Sequence, residues 1–330
     1  MRSVLVTGAT APLGQRLVRS LLADTRIRHV LAVDRLAEDA KLPWQPNNRL
    51  TYRSVDLRRA RKVRELLFGP ARDLEVEVVA HLSEYTDAYG RGRSVYAQNV
   101  ESLRSILSLS DRHPTIRRLV VKSHAVVYRV SLDLPVRVTE DHPLNLSPKA
   151  PQYVRDRVEA DLTACARMGL IDCEIVVLRC AEALAPGTGS QLYDYLDAPV
   201  VFRNMGFDPM VNVAHPDDLV HALEVATHGS GEGVFNVPGL DTLPLSEAAR
   251  KWGSRVVPLP STLIRPLYRL RHWVTGSQFS YGVHRQQLHF GLVLDGARAK
   301  RVLGYTPTCP VDWVGHGAAP SPSASERGLA

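Results

Sequence analysis

Tyr153 and Arg157 stand four residues apart in "APQYVRDRVEAD". On a helix that spacing places the phenol and the guanidinium on one face. A phenol held there can pass a proton to or from a substrate oxygen, and a neighbouring cation favours its ionised form. The spacing alone leaves open a bland alternative, one more arginine on a solvated helix. A second stretch, "VTGATAPLGQRLV" (6–18), sets glycines between a strand and a helix. Backbone amides can approach a phosphate at such a helix N-terminus. Asp34 ends the next β-branched run, about twenty residues after Gly14, where a carboxylate can accept hydrogen bonds from ribose hydroxyls.

These residues need a scaffold, and the chain alternates the elements for one. Apolar, β-branched runs at 3–7, 29–34, 50–56, 76–82, 116–123 and 173–179 read as strands. Several are apolar almost throughout, as parallel strands covered on both faces are. Helical patterns lie between them at 12–24, 58–68, 92–112 and 150–168. The alternation predicts an α/β fold, a Rossmann-type doubly wound parallel sheet with a smaller C-terminal substrate lobe. The dinucleotide-binding domain is expected over 1–180 and the lobe over 181–315, with late elements returning to the sheet. A low-complexity, disordered tail is expected over 316–330. His215 and Pro216, followed by Asp217 and Asp218, mark a helix start inside the lobe.

Composition narrows the function class. Lys and Arg number 41 against 34 Asp and Glu, a formal charge of +7, but the excess is spread along the chain. The longest basic cluster, "DLRRARKVRE", is broken by acids and reads as a solvated helix face, so no nucleic-acid partner is expected. Cys165, Cys173, Cys180 and Cys309 form no CxxC, and the histidines form no HExxH. Neither a disulfide framework nor a metal is expected. No run approaches a membrane span, and a cytoplasmic location is the simplest expectation. The segment "VPLPSTLIRPLYRLRHWV" (257–274) mixes apolar and basic residues at near-helical spacing. It reads either as a membrane-surface element or pocket cover, or as a lobe helix packed inward with its arginines outward. The second reading is the expectation.

An ordered series of motifs over about residues 2–310 resembles the extended short-chain dehydrogenase/reductases, the NAD-dependent epimerase/dehydratase family. "VTGATAPLG" stands at its glycine motif, "VDL" (55–57) at its adenine loop and "AHLSE" (80–84) at its HLAA segment. Asn99, "KSHAVVY" (122–128), "YVRDRVEADL" (153–162), "VLR" (177–179), "HPDDLVHA" (215–222), "GVFNVPG" (233–239) and "DGARAKRVLGYTP" (295–307) follow in the family's order. The resemblance implies NAD, with NADP open, bound by Gly8, Thr10, Ala11, Pro12, Leu13, Gly14, Asp34 and Arg35. It adds Asp56, Leu57, His81, Leu82, Ser83, Asn99, Tyr153 and Arg157 to the cofactor site. It implies catalysis by Tyr153 with Arg157, and with His124 or Ser123, on a hydroxyl or carbonyl of a small molecule, sugar-derived or sterol-like. A homodimer is the resemblance-based expectation.

The departures matter for chemistry. Arg157 replaces the family's lysine, and a guanidinium cannot release a proton. His124 stands at the catalytic serine position, with Ser123 one residue before it. Pro12 supplies no amide to the pyrophosphate. Val211 stands where nucleotide-sugar members often carry a diphosphate-binding arginine, which leaves Arg203 or Arg265 as substitutes. These changes set an enzyme against an alternative, a catalytically impaired dinucleotide binder with a regulatory or scaffolding role.

Overall fold

A computed structural model describes residues 1–313 and 315; the tail expected at 316–330 lies outside them. Seven strands form one sheet, all neighbours parallel: β1 (Arg2–Thr7), β2 (Ile27–Asp34), β3 (Leu50–Ser54), β4 (Val76–His81), β5 (Arg118–His124), β6 (Glu174–Cys180) and β7 (Gly233–Val237). Their spatial order is β7-β6-β5-β4-β1-β2-β3. The chain starts at β1, runs outward through β2 and β3, then crosses to β4 and runs outward the other way. The reversal between β1 and β4 is where such sheets open a crevice at the carboxyl ends of their strands.

Central strands are apolar throughout because both sheet faces are covered. Val4, Leu5 and Val6 in β1 and Val30, Leu31, Ala32 and Val33 in β2 are fully buried. One face receives α1 (Pro12–Ala23) through Leu13, Leu17, Val18 and Leu21. The other receives Val63, Leu66 and Leu67 of the 60–71 helical segment, and Leu103, Ile106 and Leu107 of the next helix. That helix, α2, spans 93–110 and carries a π segment at Ala97–Glu101, an irregularity frequent at functional sites. The helix bearing the opening motif is α3 (Gln152–Cys165). In α4 (Pro216–His228), His215 caps the start, its Nδ1 accepting from the Asp217 amide at 3.2 Å.

The lobe is built on small sheets: Met210–Ala214 between Asp241–Pro244 and Glu182–Ala183, and Arg255–Leu259 beside Val200–Asn204. Its core is aromatic, with Tyr195, Tyr268, Phe279 and Tyr281 in mutual ring contact. A helix at its edge, α5 (Ser261–Thr275), buries only Ile264 and Tyr268. It packs on the lobe core through these two residues with Arg265 and Arg269 outward, as expected, but several of its larger apolar side chains face outward as well. All four cysteines are free thiols. Among the described residues no helix is long and apolar enough to cross a membrane.

Candidate active site

The glycine turn is shaped by close contact. A Cβ on Gly14 would lie 2.2 Å from the Gly8 carbonyl oxygen and 2.8 Å from the Ala9 Cα, so only glycine lets α1 approach β1 this closely. Gly8 has φ +68° and sits against the backbone of Leu82 and Ser83. Gly8, Thr10, Ala11, Leu13 and Gly14 line one groove, with Asp34 and Arg35 at one end and Leu82 and Ser83 along it. Pro12 takes the first helical position, so the unpaired amides of the first turn begin at Leu13. The Asp34 carboxylate accepts from the Thr10 amide at 3.0 Å and its hydroxyl at 2.7 Å, which fixes it at the β2 end. From the lobe side, Gly187 and Thr188 close over the groove; a Cβ on Gly187 would come 3.0 Å from the Pro12 ring.

Other expected positions lie just behind this groove. His81, at the end of β4, is 2.9 Å from the Thr7 hydroxyl through Nδ1, and burial lowers its pKa to about 4. It ties β4 to β1. Asn99 lies in the π segment and joins two walls, accepting from the Tyr85 amide at 2.8 Å and donating to Asp156 at 3.3 Å. Asp56 is held by Arg58 at 2.8 Å, and Leu57 is buried in the core under the second sheet face. Gln98, beside Asn99, lines the groove and donates to the Ser83 hydroxyl at 2.6 Å.

At the far end of the groove the buried charges converge on Glu84. Lys122 Nζ lies 2.6 Å from Oε1, His124 Nε2 lies 2.5 Å from Oε2, and an Arg157 nitrogen lies 3.1 Å from the same oxygen. Lys122 Nζ is also 2.9 Å from His124 Nε2. Strand alternation explains the pairing: residues 122 and 124 share a face of β5, while Ser123 turns away and donates to Asp161 at 2.6 Å. Burial alone would raise the Glu84 carboxyl, but His124, Lys122 and Arg157 outweigh it and hold its pKa well below the usual range. Burial lowers the His124 pKa, against the pull of Glu84.

Tyr153 completes the cluster. The Arg157 guanidinium carbon lies 3.5 Å from its ring centroid, and an Arg157 nitrogen donates to the Tyr153 carbonyl at 3.1 Å. The phenol is 3% exposed and donates to the Gly189 carbonyl at 3.4 Å. Burial drives its pKa up, and Arg157 works against that. The residues that sequence reasoning missed are Lys122 and Glu84, both of which line the groove. The available signal was Lys122 two residues before His124 on one strand face.

A second, mostly apolar pocket lies against this cluster. Ala125, next to His124, faces Leu192, Tyr195, Phe279 and Leu288 from the lobe. Two polar groups stand out, one lining it and one just behind its wall. Buried His284 has its Nε2 without a hydrogen-bond partner, 3.8 Å from Glu182 Oε1. Asp194, which accepts from the pocket residue Gln191 at 3.2 Å, has its pKa raised to about 7 by burial and by Glu182. Neither arginine suggested as a diphosphate contact lines this pocket. Arg203 binds the Phe207 carbonyl, and Arg265 faces a separate cleft.

The profile of the NAD dependent epimerase/dehydratase family matches residues 4–205. An uncharacterised protein of Mycobacterium tuberculosis is 30% identical over 313 residues, covering 92% of this chain and 80% of its own length. Among solved structures, dTDP-glucose 4,6-dehydratase of Bacillus anthracis in complex with NAD aligns with TM-score 0.67 and 18% identity, over 94% of this chain and 92% of that one. UDP-glucose 4-epimerase of Thermotoga maritima with UDP-glucose aligns with TM-score 0.67 and 16% identity, over 93% of this chain and 94% of that one. Structural likeness at this identity establishes the fold.

Proposed function

Because the chain belongs to the NAD dependent epimerase/dehydratase family, we propose that it is an NAD-dependent enzyme of oxidoreductase or epimerase type, acting on a hydroxyl or carbonyl group of a small molecule. The observation that carries this reading is Lys122. The family position that should hold a proton-releasing amine holds Arg157, yet Lys122 brings a primary amine into the same cluster from β5. The ability to give up a proton, lost at residue 157, is available at residue 122.

The residues fit the cofactor. The groove is tight at Gly8 and Gly14, presents first-turn amides to a pyrophosphate and offers the Asp34 carboxylate to an adenine ribose. Asp34 favours NAD by repelling a 2′-phosphate; Arg35, also in the groove, leaves NADP chemically admissible. NAD, when bound, supplies the hydride acceptor. Tyr153 holds or gives the proton at its phenol oxygen. Arg157, stacked on that ring and bonded to Glu84, couples the phenol to the charged cluster. Lys122 and His124, both paired with Glu84, hold the proton once it leaves the phenol. The substrate lies in the apolar pocket, with Glu182 and His284 taking its hydroxyls. The absence of an arginine from that pocket favours a small or apolar group there over a diphosphate.

Calorimetry with NAD, NADH and NADPH, followed by nicotinamide absorbance with sugar nucleotides, sterols and small ketones, tests this. Turnover that Tyr153→Phe abolishes while NAD still binds is the expected result. Tight NAD binding without turnover of any class would move the protein to the non-catalytic binder.

A further inference from the structure

Helix α5 carries three faces. Ile264 and Tyr268 pack inward. Arg265 and Arg269, four residues apart, turn toward a cleft beside the lobe. Leu263, Leu270, Trp273 and Val274 lie on the side away from the packed residues and are 50%, 57%, 84% and 65% exposed. An ordinary surface helix puts its apolar stripe on the core and its charges in water. Here an apolar stripe faces water beside a cationic one.

The cleft strengthens the contrast. Arg91, Lys149, Arg155 and Arg285 line it together with Arg265 and Arg269, and no carboxylate does. All six are exposed, and among the described residues none forms an ion pair. Elsewhere on the surface Arg16, Arg26, Arg28 and Arg58 each hold a carboxylate within 2.9 Å. Six unpaired cations gathered in one depression create a field that attracts anions.

We propose that this face seats the protein on an anionic membrane surface. Trp273, Leu270, Leu263 and Val274 enter the headgroup boundary, and the cleft receives lipid phosphates. An exposed tryptophan among aliphatic residues, flanked by arginines, is the composition that interfacial helices use. A second copy of the chain fits less well, because a two-fold contact through this face would bring its cations together. A soluble phosphate would leave the apolar stripe without an occupant. The inference does not depend on the reaction proposed above.

Co-sedimentation of the full chain with phosphatidylcholine vesicles, and with vesicles also containing phosphatidylglycerol, tests it. Binding is expected only to the anionic vesicles, weakening as salt rises. Arg265→Gln with Arg269→Gln should lower vesicle affinity about twenty-five-fold, at roughly five-fold per surface charge. Trp273→Glu should abolish binding, and its circular dichroism and melting curve should match the parent. Equal binding by parent and variants, or none to anionic vesicles, overturns the proposal. So does lipid-free self-association that Trp273→Glu relieves, which would assign the face to a second copy. Stabilisation by inorganic pyrophosphate without vesicle binding would assign the cleft to a soluble anion and overturn it too.

Discussion

Glu84, partly buried, and Asp161, fully buried, are both carboxylates beside β5, and the protein treats them in opposite ways. Asp161 is matched by one cation: Arg179 donates to it at 3.0 and 2.6 Å, and Ser123 adds a hydroxyl at 2.6 Å. Arg179 also reaches the Tyr128 hydroxyl, which donates to Asn236 on β7, so the network spans three neighbouring strands. Every member is buried. Glu84 instead faces Lys122, His124 and Arg157 at once, with 18% of its side chain open toward the groove. A charge balanced one to one and sealed serves architecture. A carboxylate with more basic groups than it needs, beside a crevice, suits proton traffic.

The largest effect should come from breaking the sealed pair. Asp161→Ala leaves Arg179 buried without its partner and should cost about 3–5 kcal/mol in denaturant unfolding. Lys122→Met should act on rate: kcat should fall roughly 10²–10⁴-fold, the range of a lost proton-transfer group, with little change in melting temperature. Equal rate losses from the two variants would erase the distinction between the clusters.

The pH dependence sharpens it further. His81 has a folded pKa of about 4 against an ordinary value of 6.5, so the unfolded chain binds the extra proton first. Stability should therefore fall as pH drops from about 6.5 to 4, by about 3 kcal/mol, and His81→Asn should flatten that slope. Glu84 has the opposite sign of charge and a depressed pKa. Its contribution persists above its ordinary value of 4.5 and fades only as pH falls through the depressed one. The smallest effect expected is for Arg157→Lys, within about tenfold in kcat, because charge at that position is kept. A much larger gain would show that Arg157, and not Lys122, limits the site.

Much of this was legible in the sequence. The glycine turn, the parallel strands and the α4 cap follow from local rules: a glycine where a Cβ would collide, apolar runs covered on both faces, proline at a first helical position. Strand alternation also separates Ser123 from His124. Lys122 and Glu84 were not legible in the same way. A lysine inside a strand and a glutamate just after one read as exposed groups, and only the approach of β5, β4 and α3 makes them mutual partners. The orientation of α5 was hidden for a related reason. Periodicity reveals that a helix has faces, but not which face the rest of the protein covers.

The loop that brings Gly187 over Pro12 also reaches Tyr153 through the Gly189 carbonyl. In the binding mode proposed above, a dinucleotide would thread beneath that strap and depart only when the strap lifts. Its residence time would then be set by a backbone movement, and a weak hold on the pyrophosphate could coexist with slow exchange.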